Sequence, residues 1–235
     1  MRCDVWWAHP ADEAPGLLEL LDEVERGRYE GYRREIDKLR FLTGRALIRG
    51  VAAAELGVAA KDVSIDSSCF GCGKPHGKPK IDGLEVSISH SGAWVALALT
   101  EKAPVGVDVE EVRDAEVDDL ARISFSPSEL AAFNSVPQAG RKGAFFTYWS
   151  RKEAVVKATG KGMSVAMSKI TLTGYDEAPR VVASNAPEVD IATVHMADLD
   201  AGDGYRASVA VFGDTAPTVT ERDATELIAK LAVQV

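Results

Sequence analysis

Apolar positions recur at two different spacings along this chain. The helical spacing predicts helices over residues 17–34 and 37–56, and Gly57 ends the second of them. A third segment, 145–160, is rich in strong helix formers and is followed by Gly160 and Gly162, which favour a helix end. The alternation of apolar and polar residues predicts strands in the intervening segments.

The predicted strands are short and bounded by turn residues. A hairpin is expected from strands 86–90 and 94–99 around Ser91 and Gly92. Ser126, Pro127 and Glu129 form a capping box that starts a further helix. The other predicted elements are strands 3–9, 62–66, 105–109, 169–173, 189–194 and 205–211, and a terminal helix over 225–233.

The order of these elements repeats roughly once. Each half offers a long helix that carries basic residues and ends at a glycine, followed by strands that favour antiparallel pairing. The simplest architecture is α+β, with two halves that meet near Pro104. We therefore predict an N-terminal half over 1–103 and a C-terminal half over 104–235.

Composition narrows the class of protein. A content of 46% hydrophobic residues over 235 positions is sufficient for a packed core, and the net charge of −9 disfavours a general nucleic-acid binder. No apolar run approaches the length of about 18 residues that a membrane span needs, and no signal peptide is evident. Three cysteines do not form a disulfide framework. We expect a cytoplasmic protein without membrane or nucleic-acid partners.

A cluster of basic residues stands out in this acidic chain. Six basic side chains within fifteen positions suit an anionic ligand such as phosphate, although a solvated helix face is the alternative. Lys78, between Gly77 and Pro79, could reach a phosphate from a loop of restricted shape. The cluster comprises Arg26, Arg28, Arg33, Arg34, Lys38 and Arg40.

Carboxylates occur at positions where the predicted elements hold them together. Asp108 and Glu110 share one face of strand 105–109, and like charges so placed favour a hard divalent cation between them. Glu153 and Lys157 share one helix face. The alternatives are an exposed edge strand and a surface salt bridge.

The roles of a Cys/His group and of His90 stay open. Cys69 and Cys72, followed four residues later by His76, suggest zinc, but a fourth ligand is missing nearby. The alternative is a Gly- and Pro-rich surface loop with two free thiols. The parity of its strand favours His90 as a hydrogen-bonded histidine at a core edge.

Five motifs in this order and spacing resemble the Sfp-type (surfactin-synthetase-activating type) 4'-phosphopantetheinyl transferases. The resemblance spans about 26–162. Its motifs are Gly77-Lys78-Pro79, Ser87-Ile88-Ser89-His90-Ser91, Gly106-Val107-Asp108-Val109-Glu110, Phe125-Ser126, and Trp149-Ser150-Arg151-Lys152-Glu153-Ala154 with Lys157.

The resemblance implies a pseudo-twofold monomer of two similar halves, each a small antiparallel sheet packed with a long helix. Coenzyme A would lie between the halves with Mg²⁺, or with Mn²⁺ as an alternative. The reaction moves the phosphopantetheine arm to a serine of an apo acyl or peptidyl carrier protein and releases 3',5'-ADP. The carriers would serve fatty acid, polyketide or non-ribosomal peptide synthesis.

The resemblance also implies a set of site residues. Asp108, Glu110 and Glu153 would be metal ligands. Lys157 would face the reacting diphosphate. Our own hypothesis, from the chemistry of phosphoryl transfer, is that Glu153 accepts the proton of the carrier serine, directly or through water, and that Glu153, Lys157 and Asp108 form the catalytic set. Coenzyme A contacts are expected from Arg28, Arg40, Lys78, Ser89, His90 and Lys157, with Arg33 or Arg26 in place of a basic residue where this chain has Glu25.

The partner surface is expected over 113–125, with Arg122 and Phe125 as candidate contacts with the carrier protein. Two other functions remain open. One is a non-catalytic, zinc-containing interaction module built on Cys69, Cys72 and His76. The other is a Mg²⁺-dependent nucleotide phosphohydrolase, which ranks lower because the sequence has no Walker-type glycine loop.

Overall fold

The computed structural model describes residues 1–233, and the last two residues of the predicted C-terminal half, 234 and 235, lie outside it. The helices are α1 (Pro15–Glu19), α2 (Glu23–Gly31), α3 (Glu35–Leu56), α4 (Asp118–Ser124), α5 (Pro127–Asn134), α6 (Gln138–Thr159) and α7 (Thr225–Ala232). The strands are β1 (Arg2–Ala8), β2 (Lys80–Ile81), β3 (Leu84–Ser91), β4 (Trp94–Thr100), β5 (Val105–Glu111), β6 (Ile170–Leu172), β7 (Val181–Ser184), β8 (Val194–Leu199), β9 (Tyr205–Phe212) and β10 (Thr218–Asp223).

The first sheet has the order β10-β1-β4-β3-β2, and α3 packs on one of its faces. Leu42, Leu47 and Ile48 of α3 are buried against Leu97 and Leu99 of β4, where removal of apolar surface from water stabilises the fold. Gly57 closes α3 in the left-handed conformation with φ of 69°.

The second sheet has the order β5-β9-β8, and α6 packs on it. Strand β5 lies between two layers because both of its faces are covered. Val105, Val107 and Val109 pack with residues of β1 and β4, whereas Gly106 faces α6. A Cβ atom on Gly106 would lie 1.9 Å from the carbonyl oxygen of Ala154. Only glycine lets the strand and the helix approach so closely.

Serine hydroxyls join the edges of the two sheets. The backbone N–H groups of Val107, Val109 and Glu111 on β5 donate to the hydroxyls of three alternate serines of β3, at 3.1, 3.4 and 3.1 Å. On this edge β5 has no neighbouring strand backbone within residues 1–233 to pair with, so the serine hydroxyls satisfy N–H groups that would otherwise lack an acceptor. The acceptors are Ser87, Ser89 and Ser91.

The α+β class is confirmed, with one long helix on each main sheet. The first sheet is not purely antiparallel, however, because β10 pairs with β1 in parallel. Strand β10 and α7 therefore return to the N-terminal half, and α7 packs on α3. The division of the chain into 1–103 and 104–235 stays a prediction.

Three local predictions are wrong. The helix predicted over 17–34 is split, because Asp22 and Glu25 form a capping box that starts α2. Residues 62–66 are not a strand: a 3-10 turn over Ala60–Asp62 ends at their first residue, and they form one isolated bridge, between Asp66 and Lys80. Residues 191–193 form a turn, and the strand begins only at Val194.

No helix within residues 1–233 combines the length and the apolar character needed to cross a membrane.

Candidate active site

A cleft of about 660 Å³ lies between the two halves. Its walls come from α2, α3, the loop 67–79, the end of β3 and the end of α6. Five predicted coenzyme A contacts from both halves line it, so residues that are up to 129 positions apart in sequence meet in one place. These residues are Arg28, Arg40, Lys78, His90 and Lys157.

Asp108 is the most buried acid beside this cleft, at 3% exposure. Its Oδ1 accepts hydrogen bonds from Ser89 Oγ at 2.8 Å and from Lys157 Nζ at 2.7 Å. Its Oδ2 is buried and has no hydrogen-bond partner within the described residues. Burial raises the pKa of Asp108, and the ammonium of Lys157 opposes this rise.

Glu110 and Glu153 share this acidic region. Burial and the charge of Asp108 raise the pKa of Glu110, whose Oε2 accepts a hydrogen bond from Ser91 Oγ at 3.1 Å. Burial raises the pKa of Glu153 to about 6, with Lys157 opposing the rise and the charges of Asp108 and Glu110 adding to it. The three carboxylates thus act on one another although they come from a strand and a helix.

The donor set of this acidic region suits a hard divalent cation. The unpartnered Asp108 Oδ2 and the mutual repulsion of three carboxylates are both relieved by such an ion. Within residues 1–233, however, these three side chains do not form a group whose ligand atoms all lie within 4.8 Å of one another. The ammonium of Lys157, which pairs with Asp108, supplies the positive charge beside this carboxylate.

Lys78 links the two halves from the loop 67–79. Its Nζ donates to Glu85 Oε2 at 3.1 Å and to the carbonyl oxygen of Ala158 at 3.4 Å. Burial lowers the pKa of Lys78, and the charge of Glu85 opposes this shift. The ammonium therefore lies at the junction between the loop and α6, on the wall of the cleft.

Arg40 and His90 are held at the other side of the cleft. Arg40 donates to the carbonyl oxygen of Gly92 at 2.5 Å and to Asp37 at 3.1 Å, which fixes its guanidinium. His90 lines the cleft at its open side, so the expectation of a histidine at a core edge is wrong. Partial desolvation of its ring and the charges of Lys157 and Arg40 lower the pKa of His90.

Ser89 and Arg33, two further predicted coenzyme A contacts, lie outside the cleft. Ser89 is buried below it, and its hydroxyl is engaged with Asp108 and β5. Arg33 is exposed and does not line the cleft wall. Arg28 does line it, with its guanidinium 4.9 Å from the centre of the Phe41 ring.

Arg45 is a cleft residue that was not predicted from the sequence. It is buried, it pairs with Glu25 at 3.4 Å, and its Nη1 has no partner among the described residues. Glu25 also pairs with Arg49 at 2.7 Å, so this glutamate orders the arginines. The signal was the pair Arg45 and Arg49, spaced i and i+4 within an otherwise apolar helix stripe.

Two basic residues of the motif 149–154 have structural partners. Arg151 donates to Asp198 at 2.6 and 3.0 Å and to two carbonyl oxygens. Lys152 pairs with Glu129 at 2.7 Å, with both side chains at most 1% exposed. Glu129 also accepts from the backbone N–H of Leu172, so its capping box ties α5 to α6 and β6.

Phe125, a predicted partner contact, is buried in an aromatic cluster. The centre of its ring lies within 5.6 Å of the ring centres of Phe133, Phe145 and Tyr148. The exposed apolar side chains of this segment are instead Leu120 and Ile123 on α4. Phe125 is therefore a core residue.

Comparisons with known proteins point to one family. The family described as ACPS, 4'-phosphopantetheinyl transferase superfamily, matches residues 104–210. A phosphopantetheinyl transferase of Thraustochytrium sp. is 31% identical, with 92% of this chain and 80% of that protein aligned.

Two Bacillus proteins give further matches. The 4'-phosphopantetheinyl transferase psf-1 of Bacillus pumilus is 35% identical over 66% of this chain and 64% of its own length. The 4'-phosphopantetheinyl transferase Sfp of Bacillus subtilis is 25% identical over 68% of this chain and 70% of its own length. The chain is thus an enzyme of the 4'-phosphopantetheinyl transferase superfamily and belongs to its Sfp-type family.

Proposed function

We propose that this enzyme transfers the 4'-phosphopantetheine group of coenzyme A to a serine of an apo acyl or peptidyl carrier protein and releases 3',5'-ADP. The observation that supports this is the cleft, which basic residues of both halves line and in which one of them, Lys157, pairs with the buried carboxylate of Asp108. Carriers of polyketide, non-ribosomal peptide and fatty acid synthesis are the candidate substrates. The enzyme acts as a monomer in this proposal.

Coenzyme A suits the cleft in size and charge. The volume of about 660 Å³ falls within the range of small-molecule sites, about 300–1,000 Å³. Arg40, Lys78 and Lys157 would contact its phosphates through charge-assisted hydrogen bonds. Arg28 and the unpartnered Nη1 of Arg45 are suited to the 3'-phosphate.

Asp108, Glu110 and Glu153 would hold Mg²⁺, or Mn²⁺ in its place. The bound ion would neutralise charge on the diphosphate, which is the main demand of phosphoryl transfer. Lys157 would then turn from Asp108 toward the diphosphate.

Glu153 and Lys157 divide the proton chemistry in this proposal. The carrier serine oxygen attacks the phosphorus that bears the pantetheine, and the bond to the bridging oxygen of the diphosphate breaks. Glu153 accepts the serine proton, directly or through water, and its raised pKa of about 6 makes it a usable base near neutral pH. Lys157 stabilises or protonates the departing 3',5'-ADP. A Glu153→Gln variant that keeps near-normal turnover with Mg²⁺ would exclude the base role.

The carrier protein would dock on α4 and its flanks. Leu120 and Ile123 present apolar side chains there, near the exposed Arg113 and Arg122, of which Arg122 pairs with Asp119. Replacing both Leu120 and Ile123 by Asp should raise the KM for the carrier and leave the KM for coenzyme A unchanged. An unchanged KM for the carrier would move the docking surface elsewhere.

The release of 3',5'-ADP tests the reaction class. We expect release from coenzyme A to require both Mg²⁺ and an apo carrier protein. Release that is equally fast without any carrier would support the phosphohydrolase instead.

A further inference from the structure

The loop 67–79 carries a second group of potential metal ligands, apart from the carboxylates. Ligand atoms of Cys69, Cys72 and His76 all lie within 4.8 Å of one another, the only such group that the described residues contain. Cys72 Sγ lies 3.1 Å from His76 Nε2. Ligand atoms around a tetrahedral Zn²⁺ are about 3.3–3.8 Å apart, as bond lengths of about 2.0–2.3 Å require.

The backbone of this loop is arranged around the first cysteine. The backbone N–H of Cys69 donates to the carbonyl oxygen of Lys74 at 2.8 Å and so draws the two ends of this turn together. Gly73 follows the second cysteine with φ of 70°, and its N–H donates to the carbonyl oxygen of Cys69 at 2.9 Å. This turn presents both thiols on the same side of the loop.

The loop also contacts the opposite half of the molecule. The ammonium of Lys161 lies 5.7 Å from the centre of the Phe70 ring. Lys78 reaches the carbonyl oxygen of Ala158. At the base of the loop, Gly77 packs so closely that a Cβ atom would lie 2.5 Å from the carbonyl oxygen of Ser68. The group of thiols and imidazole thus lies in the segment that spans the two halves beside the cleft.

We propose that Cys69, Cys72 and His76 bind one Zn²⁺ ion that fixes the loop 67–79 against the end of α6. Two thiolates and one imidazole are ligands that zinc prefers, and two cysteines separated by two residues are a spacing that zinc sites use. No fourth Cys, His, Asp or Glu joins the group in the described part of the chain, which leaves the fourth position to water or to a cleft ligand. Two thiolates neutralise the ion, so it adds no net charge to the loop.

Metal content tests this proposal independently of any transferase activity. The protein, purified under reducing conditions and dialysed, should retain one zinc per chain by elemental mass spectrometry. The double variant Cys69→Ser/Cys72→Ser should lose it, and His76→Cys should keep it. Cys3→Ala is the matched control because Cys3 is a buried cysteine outside the group, and it should retain zinc in full.

Cobalt gives a spectroscopic signature of the same site. Co²⁺ in place of zinc should show thiolate-to-metal charge transfer and the visible bands of tetrahedral coordination in wild type, but not in the double variant. Should the double variant fail to fold, wild-type protein serves instead: a mercurial that titrates its thiols should release the zinc. Wild-type protein without zinc or cobalt bands, or with a Cys69–Cys72 disulfide under these conditions, would overturn the proposal.

The exposed Phe70 allows a test of loop order. It is 70% exposed, and chymotrypsin cleaves after such residues. Chelation of zinc should speed cleavage after Phe70 severalfold, and an unchanged rate would argue against an ordering role. Chelation of zinc should also raise the KM for coenzyme A, whereas kcat should change by less than about twofold. That last readout alone rests on the proposed function.

Discussion

Lys157 donates a 2.7 Å hydrogen bond to Asp108 Oδ1 and so joins α6 to β5. The Asp108 side chain is 4% exposed and that of Lys157 28%, so the carboxylate depends on this ammonium for compensation of its charge. The motifs that carry the two residues are separated by about forty positions, and the pair is the point at which they meet.

Lys157→Ala should therefore destabilise the metal-free protein by about 2–3 kcal/mol, because it leaves a buried carboxylate without its partner. Urea unfolding in EDTA measures this. In the double variant with Asp108→Asn, the loss should be smaller than the sum of the single losses by about 1 kcal/mol or more. Lys161→Ala is the control, since Lys161 pairs with Glu188 at the surface, and it should change stability by less than about 0.5 kcal/mol. An equally small effect of Lys157→Ala would contradict the account.

Glu153 should make stability depend on pH. Its pKa is raised from 4.5 to about 6 in the folded protein, so the folded state binds this proton more tightly than the unfolded state. Stability should therefore fall as pH rises from about 4.5 to about 6, by about 2 kcal/mol from this group. Glu153→Gln should remove that fall, whereas Glu111→Gln, at an exposed neighbouring strand position, should retain it.

The proton binding of Glu153 also predicts how Mg²⁺ changes the melting temperature. The ion competes with protons for Glu153, so it should raise the melting temperature of wild type more at pH 8 than at pH 5. The Glu153→Gln variant should show a smaller shift at pH 8. Equal shifts at both pH values would argue against carboxylate binding of the ion.

Lys78→Ala should raise the KM for coenzyme A roughly tenfold and change kcat less, because the lost contact is made in both ground and transition states. Lys74→Ala on the same loop is the matched control, since its side chain is exposed and does not line the cleft. Steady-state kinetics with both variants measure the KM for coenzyme A and kcat. Similar KM values for the two variants would remove Lys78 from the phosphate contacts.

Gly106→Ala should destabilise the protein by more than about 3 kcal/mol, because the added methyl would overlap the backbone of α6. Gly27→Ala is the control: nothing lies within 4 Å of the position that its added Cβ would take, and α2 should gain about 0.5–1 kcal/mol. Soluble yield and urea unfolding measure both. A folded Gly106→Ala protein of wild-type stability would contradict the close contact between β5 and α6.

Local patterns predicted the elements that carry the candidate site. The period of two in strand 105–109 placed Asp108 and Glu110 on one face, and the i, i+4 spacing placed Glu153 beside Lys157. The capping box at Ser126 was also predictable, since all of its members are within four residues. Such features depend on neighbours in sequence.

Features that depend on distant partners escaped prediction. The polar segment of β10 forms a strand only because β1 pairs with it, about 216 positions away. Phe125 is a core residue because α5 and α6 surround it. The hydroxyl bridges from β3 to β5 likewise required the packing of the two halves, which no local pattern encodes.

Modification of a carrier protein tests the central claim most directly. The enzyme is incubated with coenzyme A, Mg²⁺ and an apo acyl carrier protein, and the intact carrier is weighed by mass spectrometry. We predict a gain of one phosphopantetheine group, which is absent when the carrier serine is replaced by alanine or when EDTA is added. An unchanged mass across acyl and peptidyl carriers that another 4'-phosphopantetheinyl transferase modifies under the same conditions would contradict the account.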